Sequence, residues 1–168
     1  MPTATRTAPK TRARNNGTSD VLALLKRDHT EVKGLFDQIQ GLGDRAVAQR
    51  RKLGEKICAA LETHSKFEEQ TLYPQVRERA EDREDREQVL EAFEEHGIAD
   101  RLVGDLKGMD ATDERYEPKM QVLSEAIRHH IREEEGKLFP IVRDLFEKEE
   151  LDEMGEQLVD AKARAGLE

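Results

Sequence analysis

The chain has 168 residues, of which 39% are charged and 36% apolar, with no tryptophan. That is room for one domain with a real core, and the mix suits amphipathic helices with solvated outer faces. The net charge of −9 argues against a nucleic-acid partner, because neutralising phosphates takes a basic surface. No run approaches the roughly 18 apolar residues of a membrane span, and the start lacks the apolar region of a secretion signal. The single cysteine, Cys58, excludes an intramolecular disulfide. It fits a reducing compartment, so a cytoplasmic location is expected.

Residues 1–17 carry Arg6, Lys10, Arg12 and Arg14 and no acid. Pro2, Pro9, Asn15, Asn16 and Gly17 break any helix there, so a disordered basic tail is expected. Subtracting its four positive charges from −9 leaves −13 for the remainder.

Residues 18–146 read as four long helices. Thr18, Ser19 and Asp20 offer capping oxygens to the first, whose inner face is Leu22, Leu25, His29, Val32, Phe36 and Ile39, and Gly41 and Gly43 stop it. The second starts near Asp44 and carries Leu53, Ile57, Leu61, His64, Glu68 and Leu72 toward Pro74. Cys58, beside Ile57 and Leu61, reads as a buried structural residue. The run from Glu81 to Glu87 opens the third helix, with Val89, Phe93, His96, Val103 and Leu106 on one side before Gly108. After a loop from Met109 to Arg115, the fourth turns Met120, Leu123, Ile127, His130, Glu134, Leu138 and Ile141 inward. Residues 147–168 contain Leu151, Met154, Leu158 and Ala161, the stripe of a short amphipathic fifth helix. No alternating β-branched run occurs, so strands are not expected. Short connections favour antiparallel neighbours, which predicts an all-α, up-down-up-down four-helix bundle with the extra helix packed on it.

Each of the four helices places a histidine on its apolar face. Two of them recur in one phrase, His64-x3-Glu68-Glu69 closing on Leu-Tyr-Pro and His130-x3-Glu134-Glu135 closing on Leu-Phe-Pro. Positions i and i+4 lie only some 40° apart around a helix, so each pair presents an imidazole and a carboxylate to the bundle axis. A buried lone carboxylate is costly and demands neutralisation, a partner or a metal. Four histidines and two glutamates at one level can hold two cations, bridged by the carboxylates. Imidazole with carboxylate and no thiolate suits iron, and zinc also binds such sets. The remaining histidine, His129, falls on the outer face. Glu69 and Glu135 are placed either to accept from ligand imidazoles or as surface charges. Tyr73 is placed either to support the site, by contacting its ligands or passing electrons, or simply to pack, and packing is the simpler expectation because its counterpart is Phe139. No nucleophile motif, phosphate loop or CxxC is present, which leaves hydrolase, nucleotide-binding and thiol-redox functions without support.

From Val21 to Leu145 the residues resemble the hemerythrin-like proteins with the HHE cation-binding motif. The resemblance rests on Asp28-His29, His64-x3-Glu68-Glu69, Glu95-His96 and His130-x3-Glu134-Glu135. It implies a non-haem centre of two iron ions, bridged by carboxylates and an oxo or hydroxo group. His29, His64, Glu68, His96, His130 and Glu134 are its implied ligands. Oxygen carriers of this family place a second histidine a turn after the first on the third helix and use an aspartate in the fourth. Here the position after His96 holds Asp100, a candidate additional ligand or hydrogen-bond acceptor, and the fourth helix carries Glu134. The set is therefore similar to members that react with peroxide or nitric oxide, or that sense or handle iron, more than to reversible oxygen carriers. Whether the chain is an oxidoreductase consuming peroxide or nitric oxide stays open at this point, as does a monomeric or weakly dimeric state.

Overall fold

A computed structural model describes residues 20–167. The basic tail at 1–17 and the capping candidates Thr18 and Ser19 lie outside the described residues. Those described are helical throughout, without strands. The order is α1 (Val21–Gln40), α2 (Val47–Phe67), α3 (Tyr73–Arg79), α4 (Arg83–Lys107), α5 (Tyr116–Glu133), α6 (Phe139–Leu145) and α7 (Lys148–Arg164). Two five-residue π-helical turns, Glu68–Leu72 and Glu134–Leu138, join α2 to α3 and α5 to α6.

The local causes are visible. Asp20 caps α1 by accepting from the Leu22 and Ala23 N–H groups at 2.9 and 3.2 Å. The second helix begins at Val47, three residues later than expected from Asp44, because a turn closed by the Ala46 N–H on the Gly43 carbonyl occupies those positions. Extended backbone at Phe146 separates α6 from α7, and a capping box between Glu147 and Glu150 starts the latter. The π turns depart from the uninterrupted helices read from the sequence, and Pro74 and Pro140 supply a reason. A proline offers no N–H to the carbonyl four residues back, and its ring crowds that group. Each π turn widens the helix just ahead of its proline, with Tyr73 N–H bonded to the Glu68 carbonyl and Phe139 N–H to that of Glu134. The Gln75 side chain then donates to the Thr71 carbonyl at 2.8 Å.

Contacts between helices run in opposite directions. His29 meets His64 while Glu31 meets Lys56, and His96 meets His130 while Asp105 meets Lys119. Between α2 and α4, Glu62 pairs with Lys107 and Glu69 with His96. The apolar interior falls into two clusters. One contains Leu22, Leu25, Leu72, Tyr73, Val89 and Phe139, together with Leu151, Met154 and Leu158 of α7. The other contains Val32, Phe36, Ile57, Leu61, Val103, Leu123 and Ile127. His29, His64, His96 and Glu134 occur in sequence between residues of the two clusters, with His130 one turn before Glu134, so a polar layer divides the core.

At the far end of the second cluster α2 approaches α5 closely through Gly54. A Cβ there would sit 1.9 Å from Tyr116 Oη and 3.2 Å from its Cζ. Alanine is worth about 1 kcal/mol over glycine in a helix, but overpacking costs about 1–3 kcal/mol. Gly54→Ala is therefore expected to lower stability to urea. In a Tyr116→Phe background the same change should cost less, and equal losses in both backgrounds would remove the close approach as the cause.

Candidate metal centre

Six side chains meet in the polar layer. His29 comes from α1, His64 from the end of α2 and Glu68 from the first π turn. His96 comes from the middle of α4, His130 from α5 and Glu134 from the second π turn. Their Nε2 and carboxylate atoms form two groups, His29, His64, Glu68 and Glu134 in one and Glu68, His96 and His130 in the other, each with all its atoms within 4.8 Å of one another. Nε2 of His29 lies 3.2 Å from that of His64, and Nε2 of His96 lies 3.1 Å from that of His130. Glu68 Oε1 is 3.1 Å from His64 Nε2 and Glu68 Oε2 is 3.4 Å from His96 Nε2, so this carboxylate reaches both groups. Glu134 Oε2 is likewise 3.2 Å from His29 Nε2 and 3.8 Å from His130 Nε2. Both glutamate side chains are fully buried.

The outer nitrogens decide the tautomers. Nδ1 of His29 faces Glu135 at 2.7 Å, that of His96 faces Glu69 at 3.0 Å and that of His130 faces Glu95 at 2.8 Å. Nδ1 of His64 faces Asp28 at 3.7 Å. A carboxylate only accepts, so the three rings within hydrogen-bond reach, His29, His96 and His130, carry the proton on Nδ1 and turn Nε2 inward. Tyr73 goes beyond the packing expected of it. Its ring stacks on His96 and its hydroxyl donates to Glu134 Oε1 at 2.9 Å, with Glu68 Oε2 at 3.4 Å. Its counterpart Phe139 stacks on His29 at 5.8 Å between centroids and brings no hydroxyl. The centre thus gathers acceptors with almost no donors, and Glu68 Oε1 and Glu134 Oε2 are buried without a hydrogen-bond partner.

Electrostatics follow from that surplus. Burial and Glu134 push the Glu68 carboxyl up. Burial opposes ionisation of Glu134 as well, yet the His29 hydrogen bond and the neighbouring imidazoles hold it below the usual carboxylate range. Burial alone would depress His64, but Glu68 and Asp28 raise it to about 10. Burial and His130 push His96 down to about 3. A proton on His64 thus supplies part of the missing positive charge.

Of the other sequence candidates, Asp100 is exposed on α4 and the His96 Nδ1 it was considered for is taken by Glu69. His129 is exposed, and its Nε2 pairs with Glu95 at 3.1 Å. Asp28 and Glu95 were noted in the sequence only as neighbours of histidines, without a role. Each serves the histidine of the following helix, not the one beside it in sequence, so the signal was an acid directly before the histidine in both α1 and α4. A cavity of about 120 Å³ reaches the site from the side of Val32, Leu61, Ile127 and Ile131, and all four imidazoles border it.

An all-helical chain with a buried layer of four imidazoles and two carboxylates across its core falls in the class of histidine–carboxylate cation-binding helical proteins. Residues 20–142 match the Hemerythrin HHE cation binding domain, and the chain belongs to that family. Its fold is similar to the crystal structure of a hemerythrin HHE cation binding domain-containing protein from Mycobacterium kansasii. The TM-score is 0.72 at 20% identity, covering 87% of this chain and 86% of that one. A DNA nickase of Nostoc sp. (strain PCC 7120 / SAG 25.82 / UTEX 2576) is 24% identical over 141 residues, 84% of this chain. The chain spans 38% of that protein's length.

Glu68→Gln would place an amide donor among these acceptors and remove one buried charge. In the presence of a chelator the variant is expected to be more stable than the parent by about 1–2 kcal/mol. A lower melting temperature than the parent's under those conditions would show that the carboxylate is satisfied without a cation.

Proposed function

We propose that the chain is a non-haem di-iron protein whose centre binds or reacts with dioxygen, peroxide or nitric oxide. The observation that carries this reading is the convergence of four imidazole Nε2 atoms on two buried carboxylates, each with an oxygen lacking a hydrogen-bond partner. His29 and His64 would hold one ion, His96 and His130 the other, and Glu68 and Glu134 would bridge them. We read the architecture as an up-down-up-down bundle over 18–146, with 147–168 packed against it.

Iron bound there would supply the change of oxidation state and positions open to a small molecule. The chain's own residues do the rest. Asp28, Glu69, Glu95 and Glu135 hold the ring protons on Nδ1 and so keep every Nε2 aimed inward. The two apolar clusters keep bulk water from the layer, and the cavity gives a small molecule a way in. Tyr73 keeps its proton at Oη, held there by burial and by the neighbouring carboxylates, and donates it in a hydrogen bond that orients Glu134. Because Asp100 is exposed and the set is four histidines with two glutamates, reactive or sensing chemistry fits better than reversible oxygen carriage.

Sensing or iron handling by metal occupancy is the second reading, favoured by the divided core, which links folding to a cation. We place the protein in the cytoplasm as a monomer or weak homodimer. Its one thiol, Cys58, is buried and pushed up by that burial to about 11, and none of the described helices is long and apolar enough to cross a membrane. DNA is left out of this reading, since the net charge of −9 offers phosphate no counter-charge.

Iron content is expected to fall well below the parent's in Glu68→Ala and Glu134→Ala, but not in His129→Ala. Equal losses in all three, measured by elemental analysis, would refute the assignment. Many cycles of peroxide or nitric oxide consumption by iron-loaded protein would mark an enzyme, and a single stoichiometric oxidation a sensor. Since His64 holds a proton up to about pH 10 without metal, metal binding at pH 7.5 should also release at least about one proton per chain. Titration in weak buffer with an indicator dye measures this, and no release would place the metal away from His64.

A further inference from the structure

The carboxylates on the outer nitrogens obey a twofold pattern. Asp28 serves His64 as Glu95 serves His130, and Glu135 serves His29 as Glu69 serves His96. The pattern breaks at Asp28, where Lys162 of α7 donates from Nζ to Oδ1. Among the described residues no lysine or arginine forms a hydrogen bond or ion pair with Glu69, Glu95 or Glu135, although Glu95 also faces His129 Nε2 at 3.1 Å and lies in the field of Lys137. The break is accompanied by a longer approach, 3.7 Å from Asp28 to His64 against 2.7–3.0 Å at the other three rings. It coincides with the cavity, whose wall includes His64, Asp28, Lys162 and Leu167. Lys162 also lies beyond residues 20–142, the span matched by the family.

A carboxylate shared with an ammonium accepts less strongly from an imidazole, and a metal-bound imidazole loses basicity when its outer acceptor weakens. We propose that Lys162 is a positioning residue that makes the two halves of the centre unequal. By drawing Asp28 away it loosens the His29/His64 half, and α7 and the residues after it contribute Lys162 and Leu167 to the wall of the cavity that all four imidazoles border. This inference rests on the two-metal reading above.

The test is calorimetric titration of metal-free protein with Co(II) alone, joined to NMR of the exchangeable imidazole N–H signals of the loaded protein. The parent should show two steps about ten-fold apart in affinity. Lys162→Met keeps most of the apolar stem and frees Asp28 for His64, so the weaker step should strengthen about ten-fold and the His64 N–H signal should move. Lys162→Arg should restore both parental readings. A packing role for α7 alone would lower the melting temperature without moving the His64 signal. Two-site binding with isotherm and N–H signals unchanged in Lys162→Met would overturn the proposal alone. A parent that binds no Co(II) would overturn the two-metal reading and this one with it.

Discussion

Glu68 and Glu134 lie fully buried between two apolar clusters, with four imidazoles turned toward them. Most other features of the interior answer to that concentration of acceptors. An isolated buried carboxylate is unstable unless something positive or donating meets it. In the protein alone the answer is partial: the Tyr73 hydroxyl satisfies one oxygen of Glu134, and a proton resides on His64. Two carboxylate oxygens remain without a hydrogen bond. The centre is thus preorganised for cations at the expense of the stability that a continuous apolar core would give.

Preorganisation needs the rings fixed as well as present. An imidazole free to turn would swap its lone pair for its N–H and spoil the site, and the carboxylates on Nδ1 prevent that. Glu69 and Glu135 directly follow the inward glutamates, so one π turn supplies both a buried inward carboxylate and the acceptor for a histidine on another helix. Glu68 points to the centre while Glu69 reaches His96, and Glu134 points to the centre while Glu135 reaches His29. The prolines that close each phrase lie one turn beyond and give a reason for the widened backbone at this point.

The helices, the inward face of each and the six converging side chains were legible because they depend on spacing within one helix. His-x3-Glu repeats, and comparison of the copies separates Glu134 from Glu133 and Glu135. What escaped depends on relations between helices. Asp28 and Glu95 look like ordinary helix-surface acids in sequence, and only the register of α1 on α2 and of α4 on α5 brings them to His64 and His130. Tyr73 was legible only as a residue near the site, because Phe139 in its place in the other copy argued equally for packing, and its hydroxyl's partners lie on other elements. The π turns were missed because periodicity was read straight through Pro74 and Pro140.

The duplication and its departures can be weighed against each other. Two copies of one hairpin make a centre with two nearly equivalent halves, well suited to holding two like cations. On the reactive reading proposed above, reduction of a small molecule would ask for inequality, since the incoming molecule would approach one side and protons the other. The departures are distributed accordingly. Tyr73, without an equivalent hydroxyl at Phe139, stands against His96 beside the bridging carboxylates. Lys162 stands at Asp28 and His64, where the cavity arrives. One departure lies in the hairpin itself and the other in the added C-terminal helix. Symmetry in the ligands with asymmetry in their surroundings is the combination by which a cation-holding bundle acquires a direction for chemistry.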